Sequence, residues 1–384
     1  MANVRFMKDF LSLSGILFLL FFGIPTFFFF RMLWLYWTRG RDPELDSASV
    51  QYEPPDNLTP GECGALLENA VAVHNITATI VDLSVKGYLA IEQGDDSRLP
   101  TPKGCKNYIF NMLKGPSDWN NLKPHERAVL RAVFIPTNPL RMLSDAMSRL
   151  QHGAGNSPLA SVFSRVQAMT TANPALRVLS EAEDSPRTAV ALLELQNHFY
   201  LHLASIRESV FDALMAGGYY ERRPDKVQLF YAAKGLVVAF LMALAGGFLA
   251  AATDTAPLPW ILTGTLTGVI ILVSGWLLSA RTIAGAHTLA KVMGFKDFLE
   301  RVEKDHVERL ETTPELFEKY LPYAMALRVE KRWTQAFGGV TVPAPQWYQR
   351  KYGGDFLPVH LVDDLAGMSN QARGVLTSKP NSSA

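Results

Sequence analysis

Three uncharged apolar runs constrain this chain more than any other feature. The first extends from Phe10 to Phe30 and continues past Arg31 as MLWLYW. The second, from Gly235 to Thr253, reads GLVVAFLMALAGGFLAAAT, and the third, from Thr255 to Ala280, contains WILTGTLTGVIILVSGWLLSA. About 20 apolar residues at helical rise match the hydrocarbon thickness of a bilayer, where every backbone polar group must be satisfied within its own segment. Each run therefore predicts a transmembrane helix, at 10–38, 235–253 and 260–280. A secretory leader is the alternative for the first run. Its apolar stretch is longer than the roughly 7–15 residues of a leader core, and it is followed by Arg31, Arg39 and Arg41 rather than by a small-x-small cleavage site. A retained anchor is the better reading.

Basic flanks orient the spans. Arg31, Arg39 and Arg41 follow the first, Arg222, Arg223, Lys226 and Lys234 precede the second, and Arg281 follows the third; the loop at 254–259, DTAPLP, carries only Asp254. That loop and a short N-terminus at 1–9 are expected outside the cell, with 40–234 and 281–384 inside. Arg5 and Lys8 mildly oppose this. The expected location is a bacterial inner membrane, multi-pass, with the lipid bilayer as first partner and the bulk of the chain cytoplasmic. Lys plus Arg total 37 and Asp plus Glu 36, so global charge implies no polyanionic partner. Cys63 and Cys105 show no CxxC spacing and read as free thiols in a reducing compartment. The sequons at Asn57 and Asn75 fall on that same side and should carry no glycan.

After a linker at 39–57, residues 58–230 repeat themselves. In QYEPPDNLTPGE the last residues form a helix start: Thr59 as N-cap, Pro60 at the first helical position and Glu62 closing a capping box. A second helix from about Asn75 ends at Gly87, where a left-handed residue is wanted. Tyr88–Ile91 reads as a strand, returned by NYIFNML. Helix, helix, strand and strand resemble a winged helix. LTPGECGALL matches LKPHERAVLR as L-x-P-x-E-x-x-x-L, and LSVKGYL matches LMAGGYY as L-x-x-x-G-Y. Two winged-helix-like modules are expected, the second carrying an insert at about 136–201 with a helix through AVALLELQNHFYLHLASI. From Leu58 to Phe134 there are eight basic and eight acidic residues, and the recognition-helix candidate NITATIVDLSVK offers one lysine against one aspartate. Phosphate neutralisation needs clustered cations, so no nucleic acid is expected and protein contact is the better use of this fold.

A helical module is expected at 281–350. In VMGFKDFLERVEKDHVERLE, Val292, Phe295, Phe298, Leu299, Val302 and Leu310 share a stripe. Thr313 and Pro314 open a second helix and Pro322 a third, with Ala326, Val329, Trp333 and Phe337 at helical spacing. These aromatics and those of VPAPQWY read as core. Residues 351–384 read as a flexible tail. The fold class is thus a mainly α membrane protein, with three spans, cytoplasmic α+β winged-helix-like modules and a C-terminal helical module.

QYEPPDNLTPGE with ATIVDLSVKGYLAIE, MGFKDFLE, and ELFEKYLPYAMALRVEKRW with PQWY together resemble the YciQ-like predicted membrane proteins, a bacterial family built on domain of unknown function 2207. The resemblance covers about 25–350, and LFEKYLPYAMAL is its most specific part. It implies a membrane span, a cytoplasmic module, a helical hairpin and a C-terminal module. It also implies an N-terminal extracytoplasmic β-domain and a glycine-rich tail, both of which this chain departs from. No catalytic residue comes with it, and the one partner it suggests is a LemA-like membrane protein.

No phosphate loop, dinucleotide fingerprint, nucleophile elbow or zincin motif occurs. The one metal candidate is Glu194, His198 and His202, which on a continuous helix would share a face at four-residue spacing but lack a fourth ligand. Glu181, Glu183 and Asp184 read as solvated loop. Apart from Arg31 the spans contain no charge, against the habit of transporters, while Gly264 and Gly268 form a GxxxG suited to close helix packing or to homo-oligomerisation. No cofactor is expected. The chain reads as a scaffold or signalling component acting through protein contacts, leaning away from an enzyme. A membrane-associated enzyme is the alternative, and a transporter subunit ranks below it.

Overall fold

The computed structural model describes residues 13–40, 50–94, 107–135, 186–253, 256, 258–278, 281–301, 314–337, 343–350 and 357–379. In chain order its elements begin with α1 (Leu13–Leu35), α2 (Pro60–Glu68), α3 (Val73–Val85), β1 (Leu89–Gln93), β2 (Tyr108–Met112), α4 (Pro124–Phe134), β3 (Ala189–Ala191) and α5 (Tyr200–Ala216). They continue with α6 (Pro224–Thr253), α7 (Leu258–Leu277), α8 (Ile283–Arg301), α9 (Pro314–Ala326), α10 (Glu330–Ala336), β4 (Tyr348–Arg350) and α11 (Pro358–Thr377). Two compact units result. One is built on α1, α6, α7 and most of α8; the other holds the strands and most of the remaining helices.

In the first unit, the second and third apolar runs form α6 and α7, both long and apolar enough to cross a membrane. The first run is helical as well, ending in a wider turn at Tyr36–Gly40. Small residues let α6 and α7 approach closely. A Cβ on Gly268 would lie 2.8 Å from the Gly235 carbonyl and 2.9 Å from Ala239 Cβ, and one on Gly264 would lie 3.1 Å from the Ala239 carbonyl. The GxxxG is therefore used inside the chain, as small-xxx-small packing permits. Gly264 and Gly268 both face α6. The junctions are pinned by hydrogen bonds: Thr282 Oγ1 donates to the Gly218 carbonyl at 2.6 Å, and the Arg281 guanidinium donates to the Leu66 carbonyl at 2.7 Å.

In the second unit the sheet order is β3-β2-β1-β4, with β1 antiparallel to β2, β2 antiparallel to β3 and β1 parallel to β4. The helix at its centre is α3, buried from Val73 to Ser84. It packs against α4, α9 and α11. The candidate recognition helix is thus enclosed, which removes the groove-reading use of a winged helix; Asn75, 1 % exposed, is equally unable to carry a glycan. Gly87 (φ +73°) and Gly218 (φ +77°) end α3 and α5 alike: the Tyr88 amide donates to the Leu83 carbonyl, and the Tyr219 amide to the Leu214 carbonyl. The repeat is real at both helix starts and both helix ends. Only the first copy continues into a hairpin, however. The second passes directly into α6, so a second winged-helix unit is not formed among the described residues.

Further corrections follow from the C-terminal half. Residues 357–379 hold the 20-residue helix α11 where a flexible tail is expected, and Leu361, Leu365, Met368 and Leu376 on it are buried. Its Asp364, 2 % exposed, accepts from Tyr348 Oη at 3.0 Å and Gln93 Nε2 at 3.2 Å, while Tyr108 Oη donates to the Asp364 carbonyl at 2.8 Å. Three strands are thereby tied to one helix. Pro322 lies inside α9 rather than opening a helix; the break comes at Arg328 (φ +60°), and α10 starts at Glu330. Val292, Phe295, Phe298 and Leu299 are buried as their spacing predicts, as are Phe317, Trp333 and Phe337; Val302, Leu310 and Thr313 lie outside the described residues.

Gly268→Val should drive α6 and α7 apart and lower the thermal unfolding midpoint in detergent by several degrees. Gly247→Val, where an added Cβ meets nothing within 4 Å, should leave it unchanged. Circular dichroism melts of both variants check this.

Candidate functional site

The two related helix starts meet in the second unit and build a buried polar cluster. At the first, Thr59 and Glu62 form a complete capping box: the Thr59 amide donates to Glu62 Oε2 at 2.7 Å and the Glu62 amide reaches Thr59 Oγ1 at 3.4 Å. At the second, lysine replaces threonine and only the glutamate half survives, with the Lys123 amide donating to Glu126 Oε2 at 2.8 Å. The lysine is used otherwise. Its Nζ crosses to Glu62 Oε2 at 2.6 Å and to the Asn57 carbonyl at 3.0 Å. His125, following Pro124, bonds through Nε2 to Thr59 Oγ1 at 2.9 Å, and its Nδ1 lies 3.9 Å from Glu62 Oε1. Each copy thus completes the other.

From α3 come Asp82 and, at its end, Lys86. Lys86 Nζ lies 2.6 Å from Asp82 Oδ2 and 2.7 Å from Glu126 Oε1. Carboxylates and ammoniums therefore alternate along Asp82, Lys86 and Glu126, with Lys123 and Glu62 beside them. The carboxylates are buried, whereas the lysine side chains are 40 % and 39 % exposed. Burying a charge is costly unless it is paired, and this chain of pairs meets that requirement from the half-wet side. Cys63 and Tyr323, the latter donating to the Leu58 carbonyl at 2.9 Å, flank the cluster.

The electrostatics set the charge state of each group. Burial pushes the Cys63 thiol up, reinforced by Glu62, so it is no thiolate nucleophile. Burial lowers His125 against the pull of Glu62 and Glu126, keeping it neutral. Asp82 is raised to about 6 by burial despite Lys86. Burial also disfavours charge on Glu126 and Lys86, but their mutual pairing wins: Glu126 is lowered and Lys86 raised. The arrangement is suited to locking helices together rather than to moving protons to a substrate.

The metal candidate does not assemble as its spacing suggests. Ala189–Ala191 is strand, Glu194 sits in a short tight turn of helix at Leu192–Leu195, and Asn197 (φ +65°) breaks the chain before α5 begins at Tyr200. Glu194, His198 and His202 therefore do not share a helix face. Glu194 pairs with Arg187 at 3.3 Å, and burial lowers His202. No group of three or more metal-binding side chains occurs among the described residues. Glu181, Glu183, Asp184 and Cys105 lie outside them. The charge cluster itself was legible only as two helix starts; that Lys123 and His125 serve the first start has no local signal.

Two stability outcomes are expected. Lys86→Met leaves Asp82 and Glu126 without their counter-charge and should destabilise by on the order of 2–4 kcal/mol, discounted for the lysine's partial exposure. Adding Asp82→Asn should recover part of that loss. Thermal melts of the full chain in detergent measure both. As to pH, His74, lowered to about 4 by burial and by Arg328 and Arg373, and His125 are held neutral in the fold. Their contribution is present above about pH 6.5 and lost as pH falls towards their folded values. Asp82 acts oppositely, its ionisation disfavouring the fold as pH rises through about 6. His74→Gln should therefore make the melting midpoint fall less steeply, or rise more, as pH drops from about 6.5 to about 4.5 than it does in the unsubstituted chain.

Neither curated proteins nor solved structures gave a match to this chain. One family model does match, described as a predicted membrane protein C-terminal domain, DUF2207, and it covers residues 48–337. That interval contains both helix starts, the whole charge cluster, α6 and α7, and the aromatic core of α9 and α10. A match over most of the chain places the protein in the DUF2207 family of predicted membrane proteins, through its C-terminal domain.

Proposed function

We propose that this is a non-enzymatic, multi-pass protein of the bacterial inner membrane. In this reading α1, α6 and α7 are three spans, and the α/β unit lies in the cytoplasm as a scaffold or signalling module working through protein contacts. The observation that supports it is the state of the charge cluster: its carboxylates are buried against paired lysines, Cys63 is held protonated and His125 neutral, and Asp82, raised to about 6, is enclosed and bonded to Lys86 rather than open to substrate. An enzyme needs a reactive group poised near its operating pH and open to substrate. Basic flanks around the apolar runs support the orientation. The enclosure of α3 supports protein partners, a LemA-like membrane protein among them, over nucleic acid.

Affinity purification of the full chain in mild detergent tests this. A partner recovered in stoichiometric amount, or a defined self-association, is expected; recovery of the chain alone as a monomer overturns the scaffold reading. A reporter fused after Ala384 should be active only in the cytoplasm. Activity confined to the outer side reverses the topology.

A further inference from the structure

The register of the first unit sets its cations and exposed aromatics in two tiers. Phe21 packs tilted against Trp260 with ring centroids 4.5 Å apart, and a Cβ on Gly40 would lie 2.8 Å from the Leu277 carbonyl. Helix α1 therefore runs parallel to α7, with contacts near both ends. At a rise of about 1.5 Å per residue, Arg31, about midway, falls near the level of Gly268. Gly268 faces Gly235, the neighbour of Lys234. Arg31 and Lys234 thus share one level. Towards the Gly40–Leu277 end lie Trp34, Trp37, Phe230 and Trp276, which are 59 %, 62 %, 62 % and 71 % exposed, alongside exposed Val269, Leu272, Val273 and Leu277. Both cations lean that way: Arg31 sits 5.4 Å from the Trp34 ring and Lys234 5.9 Å from the Phe230 ring. On the other side the exposed side chains include Phe22, Phe27, Phe29, Leu241, Leu244, Phe248 and Leu262, and none of the described residues there is charged.

We infer that this two-tier belt is a seat for anionic phospholipid headgroups, an inference that rests on the reading of α1, α6 and α7 as spans. Long basic side chains at a hydrocarbon boundary reach towards the polar layer, and tryptophan prefers that layer. Two cations on one level, flanked by exposed indoles, complement a net-negative phosphate headgroup, and gain less from a zwitterionic one whose phosphate is offset by its own ammonium. The boundary then passes through the indole tier, with Arg31 and Lys234 reaching towards it from deeper in the bilayer, and the final turn of α7, including Trp276, lies among headgroups instead of within the hydrocarbon span expected to reach residue 280.

The chain has seven tryptophans, and the four outside the belt, Trp119, Trp260, Trp333 and Trp347, are buried, so fluorescence quenching by bilayer-embedded quenchers reads the belt. The full chain is reconstituted in phosphatidylglycerol or phosphatidylcholine vesicles with quenchers placed shallow or deep on the acyl chain. The shallow quencher should be at least twofold more effective, and Trp34→Phe/Trp37→Phe/Trp276→Phe should remove that excess; equal or stronger deep quenching overturns the placement. Native mass spectrometry from detergent should show phosphatidylglycerol retained at least threefold over phosphatidylcholine. Arg31→Gln/Lys234→Gln should abolish the preference and Arg31→Lys/Lys234→Arg should keep it. A preference untouched by the neutral pair, in a variant of unchanged circular dichroism, overturns the headgroup site. Failure to enter vesicles at all sinks the membrane reading itself, a separate result.

Discussion

Asp82, Glu126 and Glu62 are buried close together, and the fold of the α/β unit depends on how their charge is neutralised. Two lysines do this from positions where their stems pack and their ammonium groups stay partly wet, an arrangement that limits the desolvation cost. Because Lys86 reaches both Asp82 and Glu126, it couples the end of α3 to the start of α4. Because Lys123 reaches Glu62, it couples the start of α4 to the start of α2. Deleting either lysine leaves a buried carboxylate without its counter-charge. The cluster therefore ties the starts of α2 and α4 to the end of α3.

Around that cluster, α3 is the axis. Its buried Thr77, Thr79 and Ser84 are satisfied within the helix or, for Thr77, by Ser369 of α11 at 3.0 Å. Polar residues on a helix this enclosed explain why it resembles an exposed recognition helix in sequence. Their hydroxyls bond back to carbonyls one turn earlier and so need no solvent. Asp364 does for the sheet what Lys86 does for the helices, drawing side chains from β1 and β4 and the Tyr108 hydroxyl of β2 onto α11.

What was readable in the sequence was what is decided within a few residues. Pro60, Pro124 and Pro314 each start a helix, because proline fixes φ and lacks a donor that the first turn cannot use. Gly87 and Gly218 end helices where φ turns positive. Buried Phe295, Phe298 and Trp333 announce themselves by spacing. The misreadings share a cause. ELQNHFYLH has helical periodicity, yet the chain breaks at Asn197, whose side chain and amide are tied to Ser378 at 3.2 and 3.0 Å, some 180 residues away. The polar C-terminal segment looked solvated because its burial depends on a sheet assembled from distant strands.

The sequence by itself determined that three apolar runs become helices, where the two related helix starts lie, and that the chain belongs beside other predicted membrane proteins. Tertiary structure alone decided that Lys123 and His125 complete the first helix start, that α3 is enclosed, and that Gly264 and Gly268 face α6. Periodicity and capping are local properties of the backbone. The pairing of buried charges is set by which distant segments must share one low-dielectric volume, and no window of sequence contains it.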